Sequence, residues 1–274
     1  GNVVFNQIVN DYNSISDKNG WDNDGQWVSA GLNSLIINAN SISFSESVGG
    51  ISPLNILKLY SNNLLYLNTS IFTSSLQEYS APGISLGNNA ALHGMPLPRL
   101  NQIPSTISFV TDSFSADIIN PVFLKGGVVK ISPYTLGLSI GIGSGRGDLV
   151  LSAEFFNDAR SIFSTPNTSV IIGGNKAGDI YINETITLSN STSIISGGNI
   201  TISENGSILN LGRDSTLILD SARNFKNQNG STAISNLGDN SRWIIYSKNP
   251  DKDQFNGLVS GAIAYWGANS QSLS

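Results

Sequence analysis

Apolar residues in this chain arrive in short alternating bursts that never settle into a helical rhythm. Leu35-Ile36-Ile37-Asn38, Ile56-Leu57-Lys58-Leu59, Gly127-Val128-Val129-Lys130-Ile131, Leu149-Val150-Leu151 and Ile180-Tyr181-Ile182 are examples. Alternation with a period of two is the mark of a strand with one face in a core and the other in water. Asn, Gly, Asp and Ser fill the intervals, and these residues accept left-handed backbone or bond their own main chain in turns. One stretch, Ala153 to Phe163, spaces Phe155, Phe156, Ala159, Ile162 and Phe163 at roughly helical intervals. It predicts one short helix or an irregular excursion in an otherwise all-β chain.

The bursts also repeat. Ala177-Gly178-Asp179-Ile180-Tyr181-Ile182 returns as Gly197-Gly198-Asn199-Ile200-Thr201-Ile202, then as Arg213-Asp214-Ser215-Thr216-Leu217-Ile218-Leu219, and more loosely as Arg242-Trp243-Ile244-Ile245-Tyr246. The first step is about 20 residues and the next reads as slightly shorter, the range of a solenoid coil. Further bursts fall within each coil, at Ile186/Leu188, Ile194/Ile195 and Ile208/Leu209/Leu211. Three short strands per coil predict a right-handed parallel β-helix. The alternative is a pair of tandem antiparallel β-sandwich domains, for which Asn205-Gly206, Asn19-Gly20 and Asn229-Gly230 would supply hairpin turns. A sandwich, however, gives no reason for the Gly-Asp/Asn-Ile-x-Ile phrase to recur at an interval.

Coils of this size cannot stand alone, because a handful of buried aliphatic side chains does not offset the entropy of ordering the backbone. Stacking adds hydrogen-bond ladders above and below, and the chain reads as one continuous elongated domain. Within it, 1–140 holds coils with irregular loops, including an excursion near 93–104. Residues 141–240 hold regular coils, and 241–274 form an aromatic-rich closing segment.

Composition narrows the function classes. Charged residues make up 12% of the 274-residue chain, about half of the ~25% usual in globular domains. Net charge is −5, and so acidic a balance argues against nucleic acid, whose phosphates need a basic face. With no cysteine, thiolate metal sites are excluded. No run approaches the roughly 20 apolar residues of a membrane helix, and no cofactor is implied. The opening Gly1-Asn2-Val3-Val4-Phe5 reads as a turn entering a strand, as in a segment of something longer.

Four stretches carry a family resemblance. "GIGSGRGDLVLSAEFFNDA" (Gly141 to Ala159), followed by "TPNTSVIIGGNKAGDIYI" (Thr165 to Ile182), resembles the repeat region of large filamentous haemagglutinin-type proteins. "SRWIIYSKNPDKDQFNGLVSGAIAYWGA" (Ser241 to Ala268) looks like that family's closing segment, and Ile42 to Leu92 resembles its more degenerate coils. The resemblance implies a β-helical segment of a bacterial surface adhesin exported by two-partner secretion, with roles in cell adhesion, biofilm formation or contact-dependent inhibition. It implies an extracellular, cell-surface location. The partners would be a host-cell or neighbour-cell receptor or glycan, and an outer-membrane secretion partner for the parent protein. The amino-terminal secretion domain of that family is not in this sequence.

Several residues are candidates for chemistry. Arg146-Gly147-Asp148 is an integrin-type tripeptide in a Gly-rich turn, although Asp148 also simply opens a strand. Asn68, Asn167, Asn183, Asn190, Asn205 and Asn229 begin N-x-S/T sequons, as does Asn199, a poor acceptor if its strand lies inside a sheet. Related high-molecular-weight adhesins carry sugars at such positions. Asp22-Asn23-Asp24-Gly25 and Asp251-Lys252-Asp253 have calcium-loop flavour, but nothing at EF-hand spacing follows Gly25 to complete a ligand set, and no metal is expected. His93, the single histidine, reads as a solvated loop residue. Trp243, Tyr246, Phe255, Tyr265 and Trp266 gather near the carboxyl end, to cap the solenoid or to offer a carbohydrate shelf.

The sequence is compatible with two other function classes. A polysaccharide-processing β-helix enzyme would need clustered carboxylates on adjacent coils, and Asp158 with Asp179 comes nearest. End-to-end self-association into an extracellular filament is the third reading. The expected function is a structural adhesin segment without catalytic residues.

Overall fold

In the computed structural model of the protein, residues 2–5, 34–50, 53–94, 105–116, 127–158 and 168–259 are described. They form an all-β parallel solenoid of about eight turns, organised as two compact units, Gly1–Val110 with Ser115–Val129 and Thr111–Phe114 with Lys130–Ser274. The division falls between Val110 and Lys130, so the change of repeat phrase at Gly141 lies inside the second unit.

In the second unit each regular coil contributes one strand to each of three sheets. Ser169–Gly174, Thr192–Ser196, Thr216–Ser221 and Arg242–Ser247 follow one another in the first sheet. Ile140–Ile142, Ile180–Ile182, Ile200–Ile202 and Phe225–Asn227 do so in the second. Thr185–Leu188, Ser207–Asn210 and Ile234–Asn236 make the third. All these pairings are parallel, which removes the sandwich alternative. Asn205-Gly206 accordingly turns a corner between the second and third sheets instead of closing a hairpin.

Alternation decides what goes inside. Ile194, Leu219 and Ile245 share a register position, and the first two have no accessible surface. Ile180, Ile200 and Phe225 form a second inward column with none at all. Ile186, Ile208 and Ile234 make a third. Inward aliphatics thus stack on like aliphatics, one rung per coil.

Two expectations about the repeat are corrected. Ile180–Ile182 and Ile200–Ile202 are indeed successive rungs, but the rung after them is Phe225–Asn227 and not Thr216–Leu219. Thr216–Ser221 belongs to the first sheet, where it follows Thr192–Ser196 and precedes Arg242–Ser247. The coils also lengthen instead of shortening: Asp179 to Asn199 is a step of 20 residues, Asn199 to Asn224 one of 25, and Asn210 to Asn236 one of 26. The added residues sit at corners, and the strand registers are unaffected.

Polar side chains hold the corners. Ser196 Oγ donates to Gly178 O at 2.7 Å, and one coil later Ser221 Oγ donates to Gly198 O at 2.9 Å. Asn210, 1% exposed, donates through Nδ2 to Asn236 Oδ1 at 3.3 Å and accepts from Ser215 Oγ at 2.7 Å. Buried amides and hydroxyls of this kind are tolerable because they find partners.

The predicted helix is real but short. It spans Glu154–Asn157, buries Phe155 and Phe156, and ends where Asp158 turns to extended backbone; residues 159–163 lie outside the described residues. Asn157 then does the work of a strand. Its Oδ1 accepts from Thr187 N–H at 2.8 Å and its Nδ2 donates to Thr185 O at 3.1 Å, so one side-chain amide satisfies the edge of Thr185–Leu188. Covering an edge in this way blunts a template for unwanted pairing.

In the first unit, Ser34–Ala39, Leu54–Ser61, Ser70–Ser80 and Thr106–Val110 succeed one another in one parallel sheet. Its inward column runs Ile37, Leu59, Tyr79 and Phe109, with the last two rings stacked at 5.6 Å. Tyr79 OH donates to Gln77 Oε1 at 2.7 Å, and Gln77 Nε2 donates to His93 O at 2.9 Å. His93 is therefore a strand residue in Ala91–Gly94, its ring stacked on Phe72 at 4.4 Å and 4°, and not a solvated loop residue.

Candidate functional site

The outward surface of the coils is where chemistry would have to happen, and the Gly-rich turn is its most sharply built feature. Parallel strands usually need a connection of a dozen or more residues. Here Ile140–Ile142 and Leu149–Leu151 pair in parallel, Ile140 with Leu149, across only residues 143–148. So short a return requires backbone that side chains resist, and Gly143, Gly145 and Gly147 have φ of 83°, 119° and 127°. The turn folds flat onto the sheet: a Cβ on Gly147 would fall well inside the van der Waals surface of Gly141.

The tripeptide Arg146-Gly147-Asp148 is part of this turn. The Arg146 guanidinium lies 4.3 Å from the centre of the Tyr181 ring, a cation–π arrangement. Arg146 O accepts from Asn183 Nδ2 at 2.8 Å. Asp148 Oδ2 accepts from Ser139 Oγ at 2.5 Å, and Ser139 Oγ accepts from Asp148 N–H at 3.1 Å. Both charged side chains are exposed, yet each already has a partner on the sheet. Burial, with the Asp179 carboxylate behind it, raises the Tyr181 hydroxyl above its ordinary range, and Arg146 pulls partly the other way.

Several carboxylates of the second unit join one coil to another. Asp112 accepts from Tyr134 N–H at 2.9 Å and Thr135 N–H at 2.8 Å. Asp179 Oδ1 accepts from Asn199 N–H at 2.7 Å and Asn199 Nδ2 at 3.2 Å, while its Oδ2 accepts from Tyr181 OH. Glu184 accepts from Ser144 N–H at 2.9 Å and from the Ser144 hydroxyl, and these bonds lower its carboxyl pKa from the usual 4.5. Asp214 accepts from Asn240 Nδ2, and Asp253 Oδ1 accepts from Phe225 N–H at 2.8 Å and Asn224 Nδ2 at 3.2 Å. Of the pair considered for catalysis, Asp179 is committed to a corner and Asp158 ends the short helix. Among the described residues no group of three or more His, Cys, Asp or Glu could hold a metal. Asp251 and Lys252 belong to the 3-10 turn Pro250–Lys252, and Asp253, extended just after it, serves the corner just described; Asp22-Asn23-Asp24-Gly25 lies outside the described residues.

The sequons differ in what their amides do. Asn183 Nδ2 is given to Arg146 O, Asn199 Nδ2 to Asp179, and Asn229 Nδ2 to Gly206 O at 2.7 Å. Asn205 is exposed at a corner. Asn68 uses its Oδ1 to accept from Asn89 N–H at 3.0 Å. Asn190 is half-buried, and its main-chain O accepts from Thr192 Oγ1 at 3.1 Å. Asn167 lies outside the described residues.

Of the closing aromatics, Trp243 is half-buried and Tyr246 is 8% exposed, both on a strand that extends the first sheet by a rung. Phe255 is 36% exposed and tilts against Phe225 at 5.7 Å, next to the Lys226–Gln254 bridge that begins a further rung. These residues continue the ladder. Tyr265 and Trp266 lie outside the described residues.

One outward cluster escapes sequence reading. Lys58 and Glu78 are register partners with Nζ and Oε2 3.6 Å apart, and Tyr60 OH donates to Glu78 Oε1 at 2.6 Å. That bond, aided by burial and the carboxylate charge, pushes the Tyr60 hydroxyl up to about 12. The available signal was a charge pair one coil apart. No helix among the described residues is long and apolar enough to cross a membrane. Comparison with family models, curated proteins and solved structures found no match in any of the three.

Proposed function

We propose that the chain is a structural segment of a secreted bacterial surface adhesin, mediating attachment to host or neighbouring cells. The carrying observation is how five of the acidic side chains are used. Asp112, Asp179, Glu184, Asp214 and Asp253 each accept hydrogen bonds from residues 20 to 40 positions away, tying separate coils together. A glycan-cleaving site on such a scaffold would instead hold two carboxylates free and facing one substrate. Acids spent as inter-coil acceptors suit a part whose work is to keep its shape and present a surface. The filamentous haemagglutinin-type phrases at Gly141 to Ile182 and Ser241 to Ala268 favour the same reading and with it an extracellular location. In this reading an outer-membrane partner exports the parent protein.

The test is adherence. Beads coated with the chain should bind epithelial or bacterial cells more than beads coated with heat-unfolded chain. Failure to bind any cell surface, together with release of reducing ends from a polysaccharide panel, would overturn the proposal in favour of an enzyme.

A further inference from the structure

Tyr66 is an exposed aromatic ring lying on a bed of small residues. In the parallel pair Leu64–Leu67 with Gly83–Leu86, Leu64 faces Gly83 and Tyr66 faces Ser85, so nothing large stands beside either on that side. The two side chains are 61% and 52% exposed, whereas Leu65 and Leu67 between them point into the core. Gly87 then shapes the patch. A Cβ there would collide with the Tyr66 hydroxyl oxygen and with Asn68 Oδ1. The missing side chain thus leaves a notch that both groups occupy, with the Asn68 amide beside the tip of the tyrosine. Because Asn68 Oδ1 accepts from Asn89 N–H, the amide is oriented and its Nδ2 is the donor left for an incoming acceptor. Asn88 and Asn89 are exposed at the same corner.

The charge of this surface is as informative as its shape. From Ser61 to Gly94, His93 aside, the chain holds a single ionisable acid or base, Glu78, which is committed to Tyr60 and Lys58 on another sheet. An apolar ring face bordered, within this stretch, by amides and hydroxyls complements a ligand of the same character. A pyranose ring has an apolar C–H face and a rim of hydroxyls that accept from amides. Within Ser61 to Gly94 a charged partner would find no counter-ion on this face.

We infer that Tyr66, Asn68 and the notch at Gly87 form a subsite for a neutral glycan, with Tyr66 as the stacking platform and Gly87 as a positioning residue. This deepens the adhesin reading and rests on it. It gives Asn68 the role of ligand donor, not of sugar acceptor.

The experiment applies the full chain to an array of neutral, sialylated and sulfated oligosaccharides, then measures affinity for the best neutral ligand by calorimetry. Tyr66→Ala should weaken binding by roughly tenfold or more, as truncation of an aromatic anchor does, while Tyr66→Phe should retain most of it. Gly87→Ala removes no contacting group but should weaken binding like Tyr66→Ala, with an unchanged far-UV spectrum. Absence of neutral-glycan binding, or binding unaltered in both Tyr66→Ala and Gly87→Ala, overturns the subsite, as does binding confined to charged glycans. Cell adherence measured on the same variants separates the two claims. Adherence that survives in Tyr66→Ala together with unaltered glycan binding sinks the subsite and leaves the adhesin reading standing. Glycan binding without any cell adherence does the reverse.

Discussion

Leu219 and Ile218 are neighbours in one strand and should respond to truncation by very different amounts. Leu219 has no accessible surface and sits in register between Ile194 and Ile245, whereas Ile218 faces outward between Ser193 and Ile244. Leu219→Ala removes three buried carbons, a transfer loss of about 2.4 kcal/mol at ~0.8 per carbon. The rungs on both sides are held by main-chain ladders and cannot close the gap, so a cavity contribution should bring the cost to about 4 kcal/mol. Ile218→Ala should cost less than about 1 kcal/mol. Urea unfolding followed by far-UV circular dichroism gives both values. Native-state hydrogen exchange should show the Leu219→Ala loss spreading to the amides of Ile194 and Ile245, because each coil is stabilised by its neighbours. Equal costs for the two variants, or a larger one for Ile218→Ala, would refute the inward assignment and with it the register of the sheet.

Three further outcomes follow from the corners and edges. Gly147→Ala forces a side chain onto φ of 127° and against Gly141; it should destabilise by about 2 kcal/mol or more and abolish the Arg146–Tyr181 contact, seen as a change in tyrosine fluorescence. Glu184 has a folded pKa below its ordinary 4.5, so its bonds to Ser144 stabilise fully above that value and are lost as pH falls through the folded one. Thermal melts should therefore show wild type losing more stability than Glu184→Gln between about pH 6 and about pH 3; parallel losses would sink the assignment. Asn157→Ala uncovers Thr187 N–H and Thr185 O at a strand edge, and should raise concentration-dependent association in sedimentation velocity.

The solenoid was legible because alternation and repetition say the same thing about these residues. The Gly-Asp-Ile-Tyr-Ile and Gly-Asn-Ile-Thr-Ile phrases share a face because each carries its corner with it, the Asp179 carboxylate meeting the main chain of Asn199. Thr216–Leu219 was misplaced for a physical reason. A half-buried strand has the same pattern on any of the three sheets, and only its partner, Thr192–Ser196, says which sheet it joins. Nor could the coil length be read, since corner residues carry no periodicity. Contacts of the candidate sites were the least visible. Asn183 meets Arg146 across 37 residues and Tyr60 meets Glu78 across 18, and in each case nothing adjacent in the chain announces the partner. Tyr66 and Asn68 lie close in sequence, but the notch that brings them together depends on Gly87, one coil further on.

The variable coil length has a consequence for inheritance. Lengthening a coil by five or six residues, spread over its corners, costs only a fraction of a kcal/mol, roughly (3/2)RT times the logarithm of the length ratio. The aliphatic rungs are indifferent to what happens outside them. A gene encoding such a chain can therefore gain, lose or duplicate whole windings by slippage between similar stretches, and each product still finds a ladder to join.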